Sequence, residues 1–83
     1  MGNQNPKAWS QVRSLLLPAV AETQSQLRAR KPVDLYIDFC DDRLLFEIDG
    51  ERVPALNRTE LEQGYWKDLF KPRLVALLKS RQY

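Results

Sequence analysis

The residues best able to do chemistry in this sequence are seven carboxylic acids within one short stretch, residues 34–51. They are Asp34, Asp38, Asp41, Asp42, Glu47, Asp49 and Glu51. Carboxylates can act as general acids and bases, or can bind Mg²⁺ and Ca²⁺ through oxygen. Their spacing matches no ordered cation-binding loop such as the EF-hand, and acid–base work by Asp38 and Glu47 would need a deep cleft. A chain of only 83 residues is expected to lack that cleft.

The other groups that enzymes use are scarce. The sequence has no histidine, which removes the commonest general base and the commonest metal ligand. The single cysteine, Cys40, lies among acidic residues, which disfavour a reactive thiolate. No phosphate-binding glycine loop, dinucleotide-binding fingerprint or zinc-ligand spacing is present. We therefore expect a protein that is not an enzyme and that binds no cofactor and no metal.

Length and composition predict one small folded unit. With 43% hydrophobic and 29% charged residues, the chain is expected to form a single domain over residues 1–83, with residues 1–5 flexible. A lone cysteine cannot form an internal disulfide, so a reducing compartment is expected. No apolar run approaches the roughly 20 residues that span a bilayer, and the first residues lack the apolar stretch of a signal peptide. We expect a cytoplasmic protein with no membrane partner.

The residues before the acidic stretch follow a helical pattern. Asn5 and Pro6 fit the cap and the first turn of a helix. An apolar stripe follows at steps of three and four residues: Trp9, Val12, Leu16, Val20, Thr23 and Leu27. Pro18 predicts a kink, or two helices end to end, because its ring clashes with the carbonyl of Ser14. Basic residues and Pro32 then end the helix.

From Val33 onward apolar and polar residues alternate, as is typical of strands. The residues expected to face the core are Val33, Leu35, Ile37 and Phe39 of one strand and Leu44, Phe46 and Ile48 of the next. A two-residue turn at Asp41 and Asp42 would pair Phe39 with Leu44, and would also pair Ile37 with Phe46 and Leu35 with Ile48.

A second hairpin is predicted at Asp49–Gly50, because glycine accepts the positive φ that a tight turn requires. That turn pairs Glu47 with Arg52 and starts a short third strand. Pro54 places this strand at an edge of the sheet, since proline has no N–H to give to a neighbour.

The helical period returns near residue 57, where Asn57 or Thr59 can cap a helix. Its apolar stripe is Leu61, Tyr65, Leu69, Leu74, Leu77 and Leu78. Gly64 and Pro72 predict either a short helix and a longer one or one bent helix. The predicted fold class is therefore α+β: an N-terminal helix kinked at Pro18, a three-stranded antiparallel meander, and a C-terminal helix or helix pair on one face of the sheet.

Charge is spread unevenly along the chain. Residues 1–31 and residues 64–83 each carry five basic residues and one acidic residue, whereas residues 32–51 carry seven acidic residues and one arginine. In the predicted register Asp34 faces Asp49, and such like charges repel unless a positive group covers them. Our leading hypothesis is a non-enzymatic interaction module that binds a basic protein surface through the acidic face of the sheet. The residues expected to make contact are Asp34, Tyr36, Asp38, Leu45, Glu47 and Asp49.

Four other interpretations stay open. The acidic face can simply be a solvated surface, as in many one-sided sheets, or it can hold a divalent cation. A nucleic-acid-binding module would instead lay the basic helices along phosphates. Its contact residues would be Arg28, Arg30, Lys31, Lys67, Lys71 and Arg73. A homo-oligomer would bring the acidic face of one copy against the basic helices of another.

The predicted order of elements, a helix, three strands and a helix, resembles that of the double-stranded RNA-binding domain. In that family, RNA contacts come from the loop between the first two strands and from the start of the last helix. Here the loop carries Asp41 and Asp42, and the helix start carries Glu60 and Glu62. Because these carboxylates would repel phosphate, the resemblance is limited to the order of the elements and does not extend to the RNA contacts.

Overall fold

A computed structural model describes residues 8–81. Its elements are α1 (Trp9–Leu27), β1 (Val33–Asp38), β2 (Arg43–Ile48), β3 (Glu51–Asn57), α2 (Arg58–Gln63) and α3 (Trp66–Arg81). The predicted α+β class is confirmed: an N-terminal helix, a three-stranded antiparallel sheet, and C-terminal helices packed on the sheet. The expected flexibility of residues 1–5 and the expected cap at Asn5 and Pro6 lie outside the described residues. None of the described helices is long and apolar enough to cross a membrane.

Helix α1 is continuous across Pro18, whose side chain is exposed. It begins at Trp9, and the carbonyl of Ala8 accepts hydrogen bonds from the N–H groups of Gln11 and Val12, each 3.1 Å long. Its predicted stripe is buried from Trp9 to Thr23. The helix ends at Leu27, after which Arg28 adopts the left-handed conformation with φ of 54°.

The second hairpin has the predicted turn. Asp49 and Gly50 both have positive φ, 54° and 78°, as a type I′ turn requires. Glu47 pairs with Arg52, as predicted, and β3 lies at the edge of the sheet, as Pro54 requires. Strand β3 is longer than predicted and contains a bulge at Ala55: Leu45 pairs with Pro54, whereas the next residue, Leu44, pairs with Leu56.

The predicted register of β1 on β2 is wrong by two residues. Leu35 pairs with Phe46 rather than with Ile48, and four residues, 39–42, connect the strands instead of two. Phe39 therefore leaves the sheet, and its side chain is 80% exposed rather than buried. The cause is Asp38, whose Oδ1 accepts hydrogen bonds from the N–H groups of Cys40 (3.1 Å) and Asp41 (3.2 Å) and turns the chain early.

Both long helices pack on the same face of the sheet, α1 against β1 and α3 against β3, and they also contact each other. Helix α1 begins beside Asp42, at the end of the sheet that carries the β1–β2 loop. Arg73 of α3 contacts Ala55, and Ser80, seven residues later, lines a cavity together with Val53, so α3 runs antiparallel to β3. Because β1 and β3 are parallel to each other, α1 and α3 run in the same direction.

The core lies between this helical layer and the sheet. Phe46 of β2 and Phe70 of α3 form its centre, with ring centroids 5.4 Å apart. Trp66 is buried, whereas Tyr65, which was predicted to belong to the buried stripe, is exposed. The reason is that Gly64 ends α2 with φ of 81°, so the helical period restarts after Tyr65.

Helix α2 begins with a reciprocal cap. The side chain of Asn57 accepts a hydrogen bond from the N–H of Glu60 (2.9 Å), and the carboxylate of Glu60 accepts one from the N–H of Asn57 (3.0 Å). This arrangement satisfies two backbone donors that a helix start otherwise leaves unpaired. Of the two predicted caps, Asn57 is therefore the one used.

Candidate functional site

The candidate site is the outer face of the sheet, which we define as the face turned away from α1 and α3. Residues paired across the three strands form three rows on this face. The first row is Asp34, Glu47 and Arg52, the second is Tyr36, Leu45 and Pro54, and the third is Asp38, Arg43 and Asn57. A central apolar row thus lies between two polar rows.

The apolar row is partly covered by the protein itself. Leu45 is only 5% exposed although it lies on the face opposite to the main core cluster, of which it is not a member. Tyr36, directly across from Leu45, is 37% exposed. The guanidinium of Arg52 stacks on the Tyr36 ring, with its central carbon 3.7 Å from the ring centroid. The row is therefore a small second apolar cluster with Tyr36 and Arg52 at its surface.

The polar rows are held by ion pairs within the face. Arg52 Nε donates to Glu47 Oε2 at 3.0 Å, and Arg43 Nε donates to Asp38 Oδ2 at 3.0 Å. The pKa of Asp38 is lowered, first by the hydrogen bond from Arg43 and then by the backbone N–H groups of its loop. Asp38 therefore serves the fold as well as the face.

Asp34 lies across from Glu47, not across from Asp49 as predicted. Each of the two carboxylates has its own arginine: Glu47 is paired with Arg52, and Asp34 Oδ1 accepts from Arg13 Nη2 of α1 at 3.0 Å. The like-charge repulsion that the sequence suggested is thus offset inside the protein.

The contact between Arg13 and Asp34 also covers the free edge of β1. Arg13 Nε donates to the carbonyl of Leu35 at 2.7 Å, and Asp34 Oδ1 accepts from the N–H of Leu35 at 2.8 Å. Both backbone groups of Leu35 point away from β2, so without these side chains they would be open to pairing with another strand. The contact therefore protects the sheet from edge-to-edge association.

Asp49 does not belong to the outer face. It lies in the β2–β3 turn, where its carboxylate pairs with Lys31 at 2.7 Å. Of the six residues predicted to contact a partner, the structure brings five together on the outer face and leaves Asp49 at one end of the molecule.

Sequence reasoning missed the role of Asp42. Its carboxylate accepts two hydrogen bonds from Arg58 at 2.6 Å and one from the indole N–H of Trp9 at 2.8 Å. These contacts lower the pKa of Asp42 and raise the pKa of Arg58. Asp42 therefore links the β1–β2 loop to the starts of α1 and α2. Since its partners are 33 and 16 residues away along the chain, no local pattern could have identified them.

The basic residues of the alternative hypothesis do not form one surface. Arg28 and Arg30 follow the end of α1, whereas Lys67 and Lys71 lie near the start of α3. The two helices run in the same direction, so these groups are at opposite ends of the helical layer. The other two residues of the set have acidic partners: Lys31 is paired with Asp49, and Arg73 is paired with Glu60.

Among residues 8–81 no group of three or more histidine, cysteine, aspartate or glutamate side chains is placed to hold a metal ion. Comparisons with protein-family models, with curated proteins and with solved structures find no match to this chain.

Proposed function

We propose that this protein is a non-enzymatic interaction module that binds another protein through the outer face of its sheet. The observation that carries the proposal is the apolar row Tyr36–Leu45–Pro54, which crosses all three strands between two rows of ion pairs. Protein interfaces commonly combine an apolar centre with a polar rim, and tyrosine and arginine are frequent among the residues that dominate their binding energy. In this protein Tyr36 and Arg52 are the tyrosine and arginine at the surface of the apolar row.

The charge of the face favours a partner with a weakly basic rim. The three rows contain three carboxylates and two guanidinium groups, a net charge of −1. Because both guanidinium groups already pair with Asp38 and Glu47, a basic partner gains little from long-range attraction. We expect affinity to come chiefly from covering the apolar row, and we expect it to fall less than about tenfold between about 0.1 M and 0.5 M salt.

The test is a pull-down from lysate of the source cells with the tagged protein, in nuclease-treated and untreated halves. The face variants are Tyr36→Lys and Glu47→Lys, which place a positive charge in the apolar row and in the rim. Asp38 is left unchanged because its carboxylate also holds the β1–β2 loop. The controls are Glu22→Lys, which makes the same change as Glu47→Lys, and Leu15→Lys, which puts a positive charge in place of an apolar side chain, both at exposed positions of α1.

A protein captured by the wild type and by both controls, but lost with both face variants in both halves, supports the proposal. Capture that survives both face variants contradicts it. Loss of the captured protein after nuclease treatment also contradicts the proposal and favours nucleic-acid binding by the basic helices. Circular dichroism of each variant establishes that the fold is retained, so a loss of capture can be assigned to the surface.

A further inference from the structure

A second surface lies on the other side of Pro54, along the free edge of β3. Two adjoining cavities of about 400 and 370 Å³ open there, and both are lined by Pro54 and Arg73. We call the two cavities together the edge groove. Their size falls in the range of sites that bind small molecules or short peptides.

One end of the edge groove is apolar. Its lining residues are Phe46, Val53, Pro54, Ala76 and Leu77, with Ser80 at the far end and Arg73 at the near end. From Arg73 to Ser80 the groove follows α3 for about 10 Å, given a rise of about 1.5 Å per helical residue. That length matches three residues of an extended peptide, at about 3.3 Å per residue.

The other end has more hydrogen-bond donors than acceptors. Arg43, Asn57, Glu60 and Arg73 line it. Both carboxylate oxygens of Glu60 are occupied, Oε1 by Arg73 Nη1 (2.8 Å) and the N–H of Asn57 (3.0 Å), and Oε2 by Arg73 Nη2 (2.6 Å).

Donors remain at the same end. Among the contacts within residues 8–81, Arg43 uses Nε and Nη2 for Asp38 and Asp41, and Arg73 uses only its two terminal nitrogens. This leaves Arg43 Nη1, Arg73 Nε and the amide nitrogen of Asn57 for a ligand. Because Arg43 already pairs with Asp38 and Asp41, and Arg73 with Glu60, these donors favour an anion through hydrogen bonds more than through net charge. A carboxylate, with two oxygen acceptors, fits such donors.

The free edge of β3 favours a peptide with a C-terminal carboxylate over a carboxylate that has no peptide backbone. The pair Ile48–Glu51 closes the two-residue turn and is hydrogen-bonded, and such pairs alternate along an antiparallel ladder with pairs that are not. The N–H and C=O of Arg52, which is paired with Glu47, therefore point to the free edge of β3, as does the C=O of Pro54. A peptide can form backbone hydrogen bonds with these groups, whereas a fatty acid cannot. We propose that the edge groove binds the C-terminus of an extended aliphatic peptide. The terminal carboxylate lies at Arg43, Asn57 and Arg73, and the preceding side chains lie over Val53 and Leu77.

The proposal does not depend on the function of the outer face, and it can be tested on the full chain by NMR. The probe is a pool of acetylated tetrapeptides with a free C-terminal carboxylate, in which the last three positions are randomised over Ala, Val, Leu and Ile. Two further arms use the same pool with a C-terminal amide and decanoate, an aliphatic carboxylate without a peptide backbone.

We expect saturable shifts of the backbone amides of Val53, Ala55, Asn57 and Ala76 with the free-acid pool. Affinity should fall about tenfold or more for the amide pool, because hydrogen bonds from arginine to a charged carboxylate are lost. Ala76→Glu, which puts a carboxylate in the wall of the groove, should abolish the shifts. Lys71→Gln makes the same change in net charge outside the groove and should leave them intact.

Four results would overturn the inference. They are the absence of saturable shifts at millimolar peptide, equal binding of the acid and amide pools, binding of decanoate as tight as that of the free-acid pool, and shifts confined to Tyr36, Leu45 and Glu47. The last result would transfer peptide binding to the outer face and thereby support the proposed function instead.

Discussion

The hydroxyl of Thr23 offers a direct test of how the core of this protein is built. Thr23 is the buried polar residue of the described core, only 1% exposed, and its Oγ1 has no hydrogen-bond partner among the described residues. A buried hydroxyl without a partner costs about 1–3 kcal/mol relative to one in water. Replacing it by a methyl group, as in Thr23→Val, removes that cost and adds about 0.8 kcal/mol of apolar burial.

Other contributions nearly cancel in this substitution. Valine and threonine are both β-branched and have similar helix propensities, so the backbone of α1 gains or loses little. We therefore expect Thr23→Val to raise the free energy of unfolding by about 1–3 kcal/mol, since a denatured chain already loses part of the ideal transfer gain. The melting temperature should rise by roughly 4–8 °C for each kcal/mol in a domain of this size.

The assay is urea unfolding followed by tryptophan fluorescence, with thermal unfolding by circular dichroism as a second measure. Thr23→Ser provides the matched control, because it keeps the hydroxyl and removes the methyl group, and it should lower stability by about 1 kcal/mol. A Thr23→Val variant that is as unstable as Thr23→Ser would refute the reasoning. That result would mean that the hydroxyl has a partner and contributes to folding.

Three further predictions concern the backbone and the ion pairs. Arg28→Gly should raise the unfolding free energy by about 1 kcal/mol in urea titrations, because glycine adopts φ near 54° without strain; Arg30→Gly, outside that conformation, should not stabilise. Asp42→Ala should lower the urea midpoint more than Asp42→Asn, which keeps an acceptor for the Trp9 indole and tolerates positive φ; equal midpoints would contradict this role. Hydrogen bonds from Arg73 lower the pKa of Glu60 below its usual 4.5. As the pH falls below about 4.5, the Glu60 carboxylate of the unfolded chain binds a proton before that of the folded chain, so the free energy of unfolding decreases. Urea midpoints at about pH 7 and pH 3.5 should show a smaller loss for Glu60→Gln than for the wild type.

Hydrophobic pattern alone predicted the faces of the strands but could not settle their pairing. Shifting one strand by two residues returns every side chain to the same face, so both registers of β1 on β2 put Leu35, Leu44 and Phe46 in the core. What decides between them is the loop. Asp38 accepts two backbone N–H groups of the next residues, which ends β1 early and turns Phe39 outward. The second hairpin was predictable because Asp49–Gly50 specifies both the turn and its register.

The candidate site was predictable in the same partial sense. Alternation placed Tyr36 and Leu45 on the face opposite to the core, and the structure puts them side by side. That Pro54 completes the apolar row follows from the register set by the second turn. That Arg52 covers Tyr36 depends on a diagonal contact between strands that are not neighbours in the sheet, which spacing along the chain does not reveal.

The segregation of charge along the sequence has a structural explanation that does not require a partner. The acidic stretch is matched by basic residues from other elements: Arg13 of α1 reaches Asp34, Lys31 reaches Asp49, and Arg58 of α2 reaches Asp42. Opposite charges that are far apart in sequence meet in the fold, so the charge of a segment is not the charge of a surface. A partner of the outer face would therefore recognise the shape and apolar character of the central row more than the acidity of the face. For this reason we expect Tyr36→Lys, which changes the apolar row, to weaken binding more than Glu47→Lys, which reverses a charge in the rim.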